Sequence, residues 1–171
     1  MYKPTRRAAA FSMLAFLAAC GTPPSKFQAY NGPAVTQVVV NKGERRMYLL
    51  HGKTVLKSYD VGLGNVPQGH KQFEGDGKTP EGIYYIDRFN PRSRYHLSVG
   101  VSYPNVQDAA LAQALGREPG GDIFIHGRGP EGNRFAQSNR DWTAGCIAVK
   151  DEEIEEVYAM LRPGIPIVIN P

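Results

Sequence analysis

The chain has 171 residues, room for one domain of common size and too little for two. With 42% hydrophobic and 21% charged residues, it has the composition of a packed globular protein, which excludes a disordered or fibrous chain. The net charge is +4, but Lys3, Arg6 and Arg7 sit together near the amino terminus and the remainder is close to neutral. No Lys/Arg-rich run follows residue 7. Nucleic acid, whose phosphates demand a basic stripe, is therefore excluded as a partner.

Residues 1–19 read as an export signal: cationic through Arg7, apolar from Ala8 to Leu17, then Ala18 and Ala19 before Cys20. The apolar run is too short to cross a bilayer. Leu17-Ala18-Ala19-Cys20 resembles the bacterial lipobox, which implies that Cys20 is lipidated and opens the mature chain. An ordinary signal peptide cut near small residues is the alternative, and Arg6-Arg7 also admits twin-arginine export. Lipidation implies a periplasmic protein anchored to a membrane. Gly21 carries no aspartate-type retention signal, which favours the inner face of the outer membrane. The only other cysteine is Cys146, and an unpaired thiol in an oxidising compartment must be buried or used.

Residues 20–34 are rich in turn formers without an apolar period and read as a tether to a domain spanning 35–169. Val38 and Val40 alternate, Met47 to Leu50 and Thr54 to Val61 follow around a turn at His51-Gly52, and all three read as strands. Gly62 to Lys78 contains five glycines and predicts a long mobile loop before a strand from Gly82 to Arg88. Gly62-Leu63-Gly64 lacks the third glycine of a nucleotide-binding loop. Another strand is predicted within Tyr95 to Val101. A helix over Asn105 to Leu115 follows, with Val106, Ala110 and Leu115 on its inner side and Gly116 ending it. Ile123-Phe124-Ile125 predicts a buried strand that delivers His126. Asp151 reads as an N-cap for a helix presenting Ile154, Val157, Tyr158 and Leu161, and Pro163-Gly164 ends it. Ile165 to Ile169 forms the last strand, with Pro166 at a strand start or sheet edge.

Thr143-Ala144-Gly145-Cys146 places a thiol after small residues that leave the backbone open. The amides of Ala144, Gly145 and Cys146 can converge on an oxyanion there. A cysteine nucleophile needs a thiolate, and an imidazole supplies both base and counter-charge. His126, ending its strand, is the best-placed histidine; His51, His70 and His96 read as structural or solvent-facing. One free cysteine and four scattered histidines show no paired ligand spacing, so neither a metal nor a cofactor is expected. Arg128, Arg134 and Arg140 lie between His126 and Cys146, where bidentate contacts to carboxylates are available. Trp142 is expected to pack the loop.

Ile125-His126-Gly127, followed by Asp141-Trp142-Thr143-Ala144-Gly145-Cys146-Ile147-Ala148-Val149, resembles the L,D-transpeptidase catalytic (YkuD) domain. Lys78-Thr79-Pro80-Glu81-Gly82 and the closing Pro163-Gly164-Ile165-Pro166-Ile167 resemble two further segments of that family. Ala144 stands where the family commonly has a histidine, a departure that resembles the YafK-like subgroup. The resemblance implies a mainly β, α+β fold of the YkuD β-sandwich type with short helices. It implies Cys146 as nucleophile, His126 as proton acceptor and donor, and the Gly127 carbonyl as the group orienting His126. Any residue supplies a carbonyl, so glycine is not required there on that ground. Arg128, Arg140 and Thr143 are the expected substrate contacts. The implied substrates are peptidoglycan stem peptides, joined to another stem or to an envelope protein. Hydrolysis of the same bond type, or silent peptidoglycan binding by a lipoprotein, are the alternatives.

Overall fold

The computed structural model describes residues 25–171; the export signal and Cys20 lie outside the described residues. In chain order the elements are β1 (Gln37–Asn41), β2 (Arg46–His51), β3 (Thr54–Asp60), β4 (Gly82–Asn90), β5 (Ser98–Val101), α1 (Val106–Ala114), β6 (Phe124–His126), α2 (Gly129–Ser138), β7 (Ile147–Ala148), α3 (Asp151–Met160) and β8 (Pro166–Asn170). The fold is mainly β with three short helices among the described residues, as expected.

All eight strands join one sheet in the order β3-β2-β1-β8-β4-β5-β6-β7. The period-2 pattern sets its inner face: Val38, Val40, Met47 and Leu49 are fully buried, while Val39 and Tyr48, paired across the same strands, are only half-buried. Gly52 makes the β2–β3 turn with φ +56°, a conformation that favours glycine. The last strand enters the middle of the sheet, parallel to β1 and antiparallel to β4. Pro166 therefore opens a central strand and does not lie at an edge.

The sheet curls until its ends meet. Gly62, just past edge strand β3, bridges Ala148 on edge strand β7, with N–H donors at 2.9 and 2.8 Å in the two directions. Thr143 and Asn65 continue this seam through bonds of 3.1 and 2.9 Å. The glycines permit the approach, because a Cβ on Gly62 would strike the Arg140 carbonyl. Inside the curl, Ile154, Val157 and Leu161 of the α3 region join Val99, Ile125, Ile147 and Ile167 in one core.

Three expectations about this framework fail for physical reasons. Helix α1 buries Asp108 and Ala112 and leaves Val106 and Leu115 exposed. Its inner face is polar: Asp108 accepts from the Tyr84 hydroxyl at 3.0 Å, and the Asn105 side chain accepts the Gln107 and Asp108 amides. Asp151 does not cap α3, whose N-cap is Lys150; its carboxylate accepts the amides of Arg128 and Gly129 at 2.7 and 2.8 Å. The 62–78 loop is densely bonded. Asp76 accepts the Gln72, Phe73 and Lys78 amides, and buried Lys71 pairs with it at 3.0 Å.

Residues 25–33 form a strap over α3 and the β4–β5 loop. Lys26 Nζ donates to the Pro91 and His96 carbonyls at 2.7 and 3.0 Å. Phe27 packs on Tyr158 and Gln28 donates to Glu155.

Candidate active site

His126 is held from both sides. Within the sheet it pairs with Ser98 of β5 and Ala148 of β7, and its carbonyl accepts Val149 N–H at 2.9 Å. The ring Nδ1 lies 2.5 Å from the Gly127 carbonyl. A carbonyl has no proton to give, so Nδ1 carries the hydrogen and Nε2 keeps a free lone pair. Tyr95 stacks on the imidazole with centroids 4.7 Å apart, and Trp142 meets it edge-on at 5.7 Å. Phe135 stacks behind Trp142. Burial under these rings lowers the His126 pKa, against the Gly127 carbonyl and the Asp151 charge, which raise it. The resting imidazole is neutral.

Gly127 turns out to be required for space. A Cβ there would lie 2.6 Å from Asp151 Oδ1, 2.8 Å from the Tyr95 carbonyl and 2.9 Å from Ile154. The carbonyl could come from any residue, but this packing admits only glycine.

Cys146 sits at the end of a tight turn before β7. The Thr143 hydroxyl accepts Gly145 N–H at 3.1 Å and donates to the Cys146 carbonyl at 2.7 Å, so Thr143 braces the turn and the Gly145 amide is already engaged. Gly145 has φ +140°, and a Cβ on it would lie 2.7 Å from the Lys78 carbonyl. The Lys78-Thr79 segment thus backs the thiol turn. Thr79 is itself fixed: its hydroxyl accepts Gly64 N–H at 3.0 Å, and its carbonyl accepts from buried Lys42. Asp141 anchors the other end, paired with Arg45 at 2.8 Å and accepting Leu63 N–H at 3.0 Å.

The Cys146 Sγ lies 3.4 Å from the Asp122 carbonyl, within reach of a hydrogen bond from the thiol. Burial pushes the thiol pKa up, the Phe124 amide opposes this, Asp122 adds to it, and Lys71 and Arg88 oppose it. Both shifts favour the neutral forms, a thiol and an imidazole.

Cys146, His126 and Tyr95 line two cavities. One, of about 230 Å³, continues past Arg94, Asp122 and Phe124; the other, of about 280 Å³, continues past Ala144, Trp142 and Phe135. A larger cavity of about 440 Å³ beside Lys42 and Arg45 offers no free cation, since Lys42 donates to the Gly69 and Thr79 carbonyls and Glu81 while Arg45 holds Asp141.

Of the expected substrate contacts, Thr143 lines the second cavity together with His126 and Cys146, whereas the arginines among them lie apart from both cavities. Arg140 donates to the Val61 and Arg45 carbonyls, away from both cavity walls. Arg128 flanks α2, with its Nε buried and lacking a hydrogen-bond partner. Arg134 is exposed on α2. The other histidines serve structure: His51 reaches the Ala34 carbonyl, His70 accepts Glu81 N–H, and His96 pairs with Glu155. Tyr95, Asp122 and Asp151 escaped sequence reading, because their roles depend on contacts with distant segments.

The curled sheet that carries this thiol and imidazole is that of a known class of proteins. The family model for the L,D-transpeptidase catalytic domain (YkuD) matches residues 36–169, and the chain belongs to that family. It is similar to YafK of Escherichia coli K12, named as a candidate L,D-transpeptidase, at 28% identity over 165 residues, covering 88% of this chain and 60% of that protein. It is similar to YcfS of the same organism, also named for an L,D-transpeptidase, at 28% identity over 78% of this chain and 43% of that one. Among solved structures it resembles the helical cell shape determining protein Pgp2 from Campylobacter jejuni, with TM-score 0.60 and 27% identity over 82% of this chain and 49% of that chain. An L,D-transpeptidase from Mycobacterium smegmatis shares the fold, with TM-score 0.54 at 15% identity over 81% of this chain and 59% of that one. The chain thus spans about two-fifths to three-fifths of the length of these proteins.

Proposed function

We propose that this chain is a peptidoglycan L,D-transpeptidase with Cys146 as nucleophile and His126 as base. The observation that carries the reading is a neutral imidazole, its Nε2 lone pair free, beside a protonated thiol on a wall common to two cavities. His126 Nε2 takes the thiol proton as Sγ attacks the carbonyl after the L-centre of the stem's diamino acid. The tetrahedral oxyanion accepts hydrogen bonds from the amides of Ala144 and Cys146, Gly145 being held by Thr143. The C–N bond breaks, the departing amine takes the proton from His126, and a thioester remains. A second amine attacks the thioester, its proton passes through Nε2 to sulfur, and the new amide leaves. The Gly127 carbonyl supports the transient imidazolium.

Incubation with purified disaccharide-peptides and mass spectrometry of the products tests this. Joined stems, or a stem bonded to the lysine of an envelope protein, are the expected result. A product with one terminal residue replaced by water shows a hydrolase, and unchanged peptides show a silent binder; either overturns the reading.

We also propose that Cys20 is lipidated and that the protein works from a membrane facing the periplasm, the inner face of an outer membrane where one exists. Leu17-Ala18-Ala19-Cys20 supports this. The intact mass of protein from native membranes is expected to begin at a diacylated Cys20; a chain that keeps Met1 contradicts it.

A further inference from the structure

A carboxylate stands at the thiol. Asp122 adopts φ +53°, a region non-glycine residues seldom enter and Asp and Asn tolerate best. That turn aims its carbonyl at Cys146 Sγ, 3.4 Å away, and leaves its side chain 90% exposed on the cavity that Cys146 and His126 also line. Its one cationic partner among the described residues is shared: Arg88 reaches Asp122 at 3.1 Å and Asp87 at 2.6 Å, and its guanidinium is pinned 4.4 Å over the Phe124 ring. Two carboxylates on one guanidinium leave the rim an excess negative charge. Arg94, the cation among that cavity's lining residues, is paired with Glu131 at 2.5 Å.

A negative charge here works against a thiolate nucleophile, since like charge disfavours ionisation. A site whose sole purpose was to ionise Cys146 has no use for Asp122. The charge makes sense when the substrate brings the counter-ion.

We propose that Asp122 is a specificity-determining residue that holds a primary ammonium of the substrate in the cavity beside Cys146. This rests on the transpeptidase reading, in which the diamino acid supplies such a group. The docked ammonium cancels the carboxylate's field at the sulfur, so the thiolate forms more readily in the complex than in the free protein. Stem peptides whose side-chain amine is free are preferred over those in which it is capped.

The test separates the charge from the reaction. Methanethiosulfonate reagents form a mixed disulfide as the thiolate attacks their thiol sulfur and methanesulfinate departs. The rate at Cys146 is read by peptide mass for an aminoethyl (cationic) and a sulfonatoethyl (anionic) reagent. The full chain is expected to favour the cationic reagent by about tenfold over the ratio for a free thiol, as one nearby charge dictates. Asp122→Asn, which keeps the backbone turn, is expected to remove most of that preference, and Arg88→Gln to enlarge it. An unchanged ratio in Asp122→Asn overturns the assignment whatever the chain catalyses. In parallel, release of the terminal residue is measured for stem peptides with free and acetylated side-chain amines. Asp122→Asn is expected to lose about tenfold on the free amine and little on the acetylated one. If the loss appears only when a free-amine stem is the acceptor, the ammonium belongs to the acceptor and not the donor. Equal use of both peptides by both proteins overturns the specificity role. A charge preference that collapses as expected in a chain that joins no peptides preserves the cation site and overturns the transpeptidase reading alone.

Discussion

His126→Ala is expected to lower the rate at which a carbapenem-type β-lactam acylates Cys146 by about a hundredfold or more, the usual contribution of a positioned base. The reagent presents a strained amide to the same sulfur, so it isolates the first half of the reaction, and mass spectrometry of the adduct counts it. Cys146→Ala forms no adduct. The acid limb of the wild-type profile lies below the ordinary histidine value of 6.5, because burial lowers the His126 pKa. The apparent values belong to the coupled thiol and imidazole. The same shift appears in stability. Between 6.5 and the lowered folded value the unfolded chain binds a proton that the folded chain refuses, so this contribution to stability is complete above 6.5 and is lost as the pH falls. Chemical denaturation of His126→Asn shows a shallower acid-side decline. Acylation of His126→Ala at the wild-type rate contradicts the base assignment and moves it to another group.

Gly127→Ala adds one methyl group where there is no room for it. The nearest atoms are Asp151 Oδ1, the Tyr95 carbonyl and Ile154, all within 2.9 Å of the new carbon. Overpacking of this kind costs about 1–3 kcal/mol, read as a drop of several degrees in Tm. Acylation falls as well, because the carbonyl displaced by the clash is the one that fixes the imidazole tautomer. Gly43→Ala, whose new carbon meets nothing nearer than the Pro171 carbonyl at 3.6 Å, retains both Tm and rate. A Gly127→Ala protein with wild-type Tm and rate shows that the loop shifts freely and that the packing argument is wrong.

How far the sequence carries depends on whether a residue's partner is local. The alternation of Val38 and Val40 and the spacing of Ile154, Val157 and Leu161 report burial directly, and those elements form where expected. His126 and Cys146 were legible because strand and turn patterns flank them. Helix α2 was not: two glycines and a proline open it and hide its period, yet proline in the first turn of a helix needs no N–H there. Helix α1 was found with the wrong face inward, because Tyr84 and His70 reward burial of Asp108 and neither is near it in sequence. Asp151 has the chemistry of a cap but spends its carboxylate on amides 22 and 23 residues away. Arg140 lies in the right stretch of chain, but the curl of the sheet turns its side chain to the Val61 and Arg45 carbonyls.

The strap over α3 sets a working radius. Lys26 fastens to the carbonyls of Pro91 and His96, in the same loop that lays Tyr95 on the imidazole. Six peptide units separate Lys26 from Cys20, and an extended chain covers no more than about 20 Å in that length. With the proposed lipid on Cys20, the mouth of the site stays within a short arm's reach of the bilayer surface. On the proposed function, the chain would then act as a fixture that waits for polymer to come close. On that reading, only the layer of wall lying against the membrane would be within its grasp, and strands deeper in the mesh would be spared by geometry and not by chemistry.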